Sequence, residues 1–292
     1  MKTKIKRIIT AVAVIVLSVV MAIPFLTGCG GEKNILVVSR EASSGTREAF
    51  DKFVSITAET LIDDAEELGS TGLVKTKVAS VDSAIGYISL ASLDDSVKAL
   101  KVDGVVASAE TVRDGTYKIQ RPFLLLKSVS TELTPTAQDF FNYCLSKTAE
   151  TTITEEGGVT TSDFDDRTEY IAPATALSGE VKLIGSTSME DMILGLVASY
   201  KELLGYKANG ITFTFSFNGS SEGRTAVKND TNGTTIGLAS SSKSDAGYSE
   251  NTLCLDAVAV IVNKANNQID NVTKEQLNGI YTGQIKKFSE IK

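Results

Sequence analysis

Histidine is missing from this chain of 292 residues, and cysteine occurs at only three positions. A Ser-His-Asp triad needs a histidine base, so this kind of nucleophilic catalysis is excluded. The sequence also contains neither a P-loop nor a Cys/His spacing of the kind that binds zinc. The chain is therefore not expected to be an enzyme of these classes, and no cofactor or metal site is expected.

Proline is also scarce, with four residues, whereas 42% of the chain is hydrophobic and 22% is charged. This composition is typical of a globular protein and not of a disordered one. The length allows one large domain or two ordinary ones. Cys144 and Cys254 have apolar neighbours, which predicts buried thiols, although their spacing leaves a disulfide between them open.

The first 28 residues have the pattern of an export signal. Four basic residues precede an apolar run that extends from residue 8 to residue 26. The run leads into Leu26-Thr27-Gly28-Cys29, which resembles the lipobox of bacterial lipoproteins. The resemblance implies a signal peptide at residues 1–28, cleavage before Cys29 and lipid attached to Cys29. The alternative is an uncleaved signal anchor, because the run is long enough to span a membrane. Both alternatives predict an exported protein held at the extracytoplasmic face of the cell membrane.

The charge balance argues against a nucleic acid partner. Removing residues 1–28 would take four of the 29 basic residues and none of the 36 acidic ones, which moves the net charge from −7 to −11. Such a surface does not suit nucleic acid or anionic lipid. If the ligand is an anion, local donors must hold it.

Strands and helices alternate along most of the chain, which predicts an α/β architecture. Residues 160–180 are polar, contain Pro173 and lack a helical period, so they form the best candidate for a linker. Asn218–Gly223 is predicted to be a loop that precedes a helix. The other predicted strands lie at 34–39, 84–91, 97–102, 117–127, 181–185, 211–217, 235–239 and 253–262, and the other predicted helices at 46–58, 107–114, 134–147, 189–204 and 273–281.

Three segments share one local design, in which a strand is followed by Ser, Thr and Gly residues and then by a helix. They are Ser39–Thr46, Gly185–Ser188 and Gly219–Gly223. Each places backbone N–H groups and short hydroxyls at a helix N-terminus, where the helix dipole favours an anion. Arg40 adds a planar fork of donors that can hold two oxygens of a tetrahedral oxyanion. The alternative for each loop by itself is a helix cap.

The segment VVSREASSGTREAF at residues 37–50 resembles the phosphate-binding proteins of phosphate ABC transporters. So do AIGYISLASL, VKALKVDGV, IGSTSMEDMI, FNGSSEGRTAV, TIGLASS, LDAVAVIVN and YTGQIKKFSEI. The likeness covers most of residues 34–158 and 180–292. It implies a type II periplasmic-binding-protein-like α/β fold with two lobes, two crossover strands and a tetrahedral anion in the cleft. It also implies a transport receptor, not an enzyme, that delivers inorganic phosphate to a membrane permease and its ATPase.

The resemblance assigns most of the candidate site. It implies that the Ser and Thr hydroxyls are hydrogen-bond donors and not nucleophiles. Some relatives place an aspartate near Ser240 or Ser241 to accept the phosphate proton, and this chain lacks it. Ala42 and Ser43 stand where many relatives have an acid and a glycine, so the carboxylate partner of the arginine is unassigned. The phosphate ligands implied by the motifs are Arg40, Ser44, Gly45, Thr46, Thr187, Ser188, Ser220 and Ser240.

Asp256 is the candidate for the missing proton acceptor. It lies in the apolar strand Leu253–Val260, where an unpaired carboxylate would be costly. The alternative is a structural role, as a helix cap or in a hydrogen bond between the lobes.

The order of the segments differs from that of the family, because the SRE-SGT segment precedes the GSTS segment here. The sequence therefore predicts a circular permutation, in which residues 160–180 join the former ends. One lobe would combine 34–118 with 262–292, and the other would contain 119–261. A tandem or misassembled gene is the alternative explanation.

Two further functions stay open at this point. The chain could be a surface lipoprotein for adhesion, sensing or scaffolding, or a receptor for another tetrahedral oxyanion. Ser240–Lys243 spells S-x-x-K, the nucleophile motif of penicillin-recognising enzymes, but the supporting patterns are absent and such short matches arise by chance.

Overall fold

The structure, a computed structural model, describes residues 32–291. The predicted signal peptide at 1–28 and the predicted lipidation site Cys29 lie outside them. Within the described part, no helix has the length and apolar character needed to cross a membrane.

The described chain alternates strands and helices, and the predicted α/β class is confirmed. The strands are β1 (Leu36–Arg40), β2 (Glu66–Leu68), β3 (Ala84–Ser89), β4 (Val97–Ala99), β5 (Lys101–Val102), β6 (Gln120–Ser128), β7 (Ser178–Gly185), β8 (Gly210–Phe217), β9 (Thr235–Ala239), β10 (Tyr248–Asn263) and β11 (Asn271–Val272). The helices are α1 (Gly45–Val54), α2 (Thr71–Ser80), α3 (Ala109–Arg113), α4 (Pro135–Cys144), α5 (Glu150–Glu155), α6 (Ser162–Asp165), α7 (Glu190–Leu204), α8 (Ser220–Lys228) and α9 (Lys274–Tyr281).

One sheet connects most of these strands, in the order β2-β1-β3-β10-β6-β9-β7-β8, with β4 also paired to β10. Strand β1 is parallel to β2 and β3, and β7 is parallel to β8 and β9. The 16-residue strand β10 joins the two parallel groups. Its first part pairs with β6, and its last part pairs with β3 and β4, all in antiparallel fashion.

Two large apolar cores lie on either side of this junction. The first core contains side chains from β1, α1, β3, α9 and the end of β10. The second contains side chains from α4, α7, β7, β9 and the middle of β10. Along β10 the change falls between Cys254 and Ala257, and at the start of β6 it falls between Ile119, which precedes the strand, and Phe123. The lobe boundaries predicted from the sequence stay a proposal, which these two cores support.

Two local predictions need correction. Asn218–Gly223 is not a loop throughout, because α8 already begins at Ser220 after Gly219 turns the chain with φ of 109°. The predicted linker at 160–180 contains the short helix α6 and the first residues of β7. Phe164 of α6 is buried in the second core, and one apolar anchor in a polar stretch is too little to produce a helical period. Cys144 and Cys254 are buried as predicted, and both are free thiols.

The two ends of the described chain lie side by side, because the Ile35 N–H donates to the Lys286 carbonyl at 2.8 Å. We therefore expect a rearranged chain, in which residues 175–292 are followed directly by residues 30–174, to fold. The new break lies in an exposed segment, and such breaks are tolerated when the old ends are close. Circular dichroism and thermal unfolding check this, and a cooperative transition near that of the parent is expected. A chain that stays unfolded would show that the present order is needed.

Candidate functional site

The candidate site lies where the segments after β1, β7, β8 and β9 meet the segment after β2. Arg40, the last residue of β1, is 1% exposed and occupies its centre. Its Nη2 donates to Thr187 Oγ1 at 3.1 Å, and its Nη1 donates to Thr71 Oγ1 at 3.0 Å. Thr46 Oγ1 lies 2.9 Å from Ser188 Oγ and 3.5 Å from Arg40 Nη1. One buried guanidinium thus contacts hydroxyls from three separate segments.

Glu41 is the carboxylate partner of the arginine that the sequence left unassigned. Its two carboxylate oxygens accept from Arg40 Nε and Nη2, each at 2.8 Å. This bidentate pairing fixes the plane of the guanidinium and adds geometric specificity. Glu41 directly precedes Ala42 and Ser43, the two positions at which this chain differs from many relatives. Comparing only those two positions with the family therefore does not identify Glu41 as the partner.

A second group of hydroxyls adjoins the first. Ser240 Oγ lies 3.0 Å from Ser186 Oγ and 3.3 Å from Ser220 Oγ, and the Ser240 N–H donates to Ser220 Oγ at 3.0 Å. Gly45 packs against this group, since a Cβ atom there would lie 2.6 Å from Ser240 Oγ and 2.7 Å from Ser220 Oγ. The close approach of the α1 N-terminus to these hydroxyls therefore requires glycine.

Ser44 has the capping role that was the alternative for its loop. Its Oγ accepts from the N–H groups of Thr46 and Arg47, at 3.2 and 3.3 Å. Ser186 similarly accepts from the Ser188 N–H at 3.3 Å. The caps orient the first turns whose side chains enter the hydroxyl cluster.

Thr71 belongs to the cluster and was missed by the sequence analysis. Its Oγ1 lies 3.1 Å from Ser188 Oγ and 3.3 Å from Thr187 Oγ1, and its N–H donates to Thr187 Oγ1 at 3.3 Å. The signal was present, because Gly69-Ser70-Thr71-Gly72 follows β2 and opens α2 with Ser70 as the N-cap. This is a fourth copy of the strand–Ser/Thr/Gly–helix design.

Arg47 holds the backbone of Arg40 in place next to the cluster. Its Nη1 donates to the Arg40 carbonyl at 2.8 Å and to Glu67 Oε2 at 2.7 Å, and its Nε donates to Asp51 Oδ2 at 3.2 Å. Burial raises the pKa of the Asp51 carboxyl to about 6, although the Arg47 guanidinium opposes this shift. Arg47 therefore joins β1, β2 and α1 and fixes the position of Arg40.

Asp256 has contacts of a different kind. It is fully buried, and it pairs across β6 and β10 with Arg121, whose Nε and Nη2 lie 2.9 and 2.8 Å from Oδ2. Oδ1 accepts from Ser89 Oγ at 2.9 Å and from the Ala91 N–H at 3.3 Å. Burial raises the pKa of the Asp256 carboxyl, and the Arg121 guanidinium opposes this shift. These contacts favour the structural alternative, and the role of proton acceptor stays a prediction.

The cluster as a whole combines one buried cation with short hydroxyls at four helix N-termini. Such an arrangement offers many donors at close range, which suits a small, multiply charged oxyanion. Among residues 32–291 there is no group of three or more His, Cys, Asp or Glu side chains that could hold a metal ion.

The α/β fold and the donor cluster are the features expected of a solute-binding protein of the periplasmic-binding-protein class. The comparison with protein families agrees, because residues 28–148 and 171–290 match the PBP superfamily domain. The phosphate-binding protein PstS 2 of Streptococcus pneumoniae serotype 4 is 34% identical over 290 residues, covering 91% of this chain and 94% of that protein. PstS 2 of Streptococcus agalactiae serotype V is 30% identical over 298 residues, covering 96% and 97%.

A solved structure gives the same result. The crystal structure of a phosphate-binding protein of a phosphate ABC transporter from Streptococcus pneumoniae TIGR4 has a TM-score of 0.68 at 34% identity, covering 89% of this chain and 100% of that one. The chain belongs to the PstS family of phosphate-binding proteins within the PBP superfamily. The permuted order of its segments stays a prediction.

Proposed function

We propose that this protein is an extracytoplasmic receptor that binds inorganic phosphate in the hydroxyl cluster around Arg40 and delivers it to an ABC permease. Membership of the PstS family supports the class of ligand. The proposal depends mainly on one observation: the Arg40 guanidinium lies within 3.5 Å of the hydroxyls of Thr46 and Thr187, and the Thr46 hydroxyl lies 2.9 Å from that of Ser188. These residues meet in space although they lie up to 148 residues apart in the sequence (188 − 40).

Phosphate would replace hydroxyl–hydroxyl contacts with charge-assisted ones. In the described chain Thr46 bonds Ser188, and Ser240 bonds Ser220 and Ser186. Each of these hydroxyls can rotate its proton toward an anionic oxygen, and hydrogen bonds to a charged acceptor are about twice as strong as neutral ones. Arg40 would supply the balancing charge, and Glu41 would keep the fork in place.

Isothermal titration of the purified protein with phosphate, and separately with sulfate, tests this function. One phosphate per chain is expected, with sulfate binding more weakly. Absence of binding to phosphate at millimolar concentration would favour the alternative of a lipoprotein for adhesion, sensing or scaffolding. Preference for sulfate would instead favour a receptor for another oxyanion.

Thr71 provides a separate prediction. Thr71→Val keeps the shape of the side chain but removes the hydroxyl that contacts Arg40, Thr187 and Ser188. We expect phosphate affinity to fall by about tenfold, because a buried polar partner is lost at a cost of about 1–2 kcal/mol. Thr154→Val is the matched control, since its hydroxyl bonds only carbonyls of its own helix. Equal affinities for the two variants would remove Thr71 from the site.

The finer localisation is also a proposal. The lipobox-like segment supports attachment to the membrane through lipid on Cys29, which would keep the receptor beside its permease. Labelling of expressing cells with a radioactive fatty acid tests it: the parent is expected to incorporate label and Cys29→Ser to incorporate none. A parent chain without label would favour the signal anchor.

A further inference from the structure

A cavity of about 450 Å³ lies beside the phosphate site, one turn further along α1. Its walls come from α1, from the segment that enters β6, from the start of α9 and from the residues after Ser240. None of its lining residues is among the proposed phosphate ligands. The volume is in the range of sites for small organic molecules and is much larger than one phosphate requires.

The lining is strongly basic, which is unusual in a chain with a net charge of −7. Its basic residues are Lys52, Lys118, Arg121 and Lys274, and its one carboxylate is that of Glu48. Glu48 accepts a hydrogen bond from Ser241 Oγ at 2.7 Å. Among the ion pairs of the described residues, none includes any of the three lysines. Lys118 Nζ donates to the Gly115 carbonyl at 2.8 Å, which does not neutralise its charge. The positive charges of Lys52 and Lys274 in particular are therefore available to a ligand.

Arg121 gives an independent indication of a ligand. The residue is 3% exposed, and it lines the cavity. Its Nε donates to Asp256 Oδ2, and its Nη2 lies 2.8 Å from the same oxygen as an ion pair. Neither Nη1 nor Nη2 has a hydrogen-bond partner among the described residues. A buried cationic donor without a partner is costly, and native proteins normally satisfy such groups.

Apolar groups complete the cavity. The Phe53 ring, Ile119 and Pro122 line it, and Lys274 Nζ lies 5.5 Å from the centroid of the Phe53 ring. These surfaces suit the organic part of a ligand, whereas the lysines and Arg121 suit a dianionic group.

We infer that this cavity is a second anion site, specific for a small organic phosphate monoester and distinct from the phosphate site around Arg40. The Arg121 Nη1 and the lysine ammonium groups would contact the phosphoryl oxygens, and the organic group would pack on Phe53 and Pro122. The inference does not depend on phosphate being the ligand of the first site.

Calorimetry with phenyl phosphate as the probe tests the inference. The full chain is first saturated with inorganic phosphate, and phenyl phosphate is then titrated into it. One molecule is expected to bind per chain. The double variant Lys52→Ala/Lys274→Ala should weaken this binding by roughly tenfold or more, because two cations near the dianion are lost. The matched control Lys201→Ala/Lys286→Ala also removes two lysines, including one over an aromatic ring, and should bind like the parent.

Three results would overturn the inference: no binding of phenyl phosphate at millimolar concentration, equal affinities for the two double variants, or simple competition with inorganic phosphate for one site. Thermal unfolding of both double variants checks that they are folded. Titration with inorganic phosphate alone reports on the first site, so failure of one proposal is distinguishable from failure of the other.

Discussion

Replacing Arg40 with alanine is expected to weaken phosphate binding by about 2–5 kcal/mol, which corresponds to a loss of roughly 30-fold to several thousand-fold in affinity. The side chain is almost fully buried, so its charge acts on a ligand with little screening by solvent. The variant also leaves the Glu41 carboxylate without its partner beside the site. That carboxylate would then repel the phosphate dianion.

Two further variants make the Arg40 result specific. Arg40→Ala/Glu41→Gln should recover part of the lost affinity, because it removes the unpaired carboxylate. Arg113→Ala removes an exposed guanidinium that bonds the Thr160 carbonyl, and it should leave phosphate affinity unchanged. If Arg40→Ala binds phosphate as the parent does, Arg40 is not a ligand.

Asp256→Ala is expected to lower the free energy of unfolding by about 3–5 kcal/mol, because it leaves the Arg121 guanidinium buried without its counter-charge. For a chain of this size the midpoint of thermal unfolding should fall by roughly 6–20 °C. The pair joins β6 and β10 where the two cores meet. Differential scanning calorimetry provides the measurement.

Controls separate the pair from a general effect of mutation. Asp256→Leu/Arg121→Met replaces both charges with apolar groups and should recover most of the stability. Asp245→Ala breaks the exposed pair with Lys228 and should change little. A midpoint for Asp256→Ala that is no lower than that of Asp245→Ala would contradict the structural role of this carboxylate.

Asp256→Asn addresses its other predicted role. A carboxylate that accepts the proton of monohydrogen phosphate favours binding of phosphate. It disfavours binding of sulfate, which carries no proton. If Asp256 is that acceptor, the ratio of phosphate to sulfate affinity should fall in this variant. An unchanged ratio would leave Asp256 with its structural role alone.

Elements with strong local signals could be predicted from the sequence. Strand β9 was predicted with its observed bounds, Thr235–Ala239. Helix α9 begins after Thr273, whose side chain forms the predicted cap with the Gln276 N–H. Such signals need only a few adjacent residues, so they survive without tertiary information.

Helix α2 could not be recognised in the same way. Its buried residues are Thr71, Val74 and Val78, which form too narrow a stripe to produce a clear amphipathic pattern, and Gly72 lowers its helix propensity. Packing of α2 on β1 and β3 supplies the helix stability that its local sequence does not provide. Missing α2 also meant missing Thr71.

The partners of the charged groups were beyond sequence reasoning for another reason. Arg121 and Asp256 are far apart in the chain and meet only because β6 and β10 pair in one register. Burial indicated that Asp256 needs a partner, but it did not indicate which cation would supply it. The motifs identified most of the hydroxyl cluster, whereas the tertiary structure was needed to find the groups that orient it.

A crystal structure of the protein grown with phosphate would show directly whether the hydroxyl cluster around Arg40 is the binding site. We expect a tetrahedral anion with oxygens about 3 Å from the Arg40 guanidinium and from the hydroxyls of Thr46, Thr187 and Ser220. Phosphate bound elsewhere on the chain, with Thr46 still bonded to Ser188 and Ser220 still bonded to Ser240, would contradict this expectation.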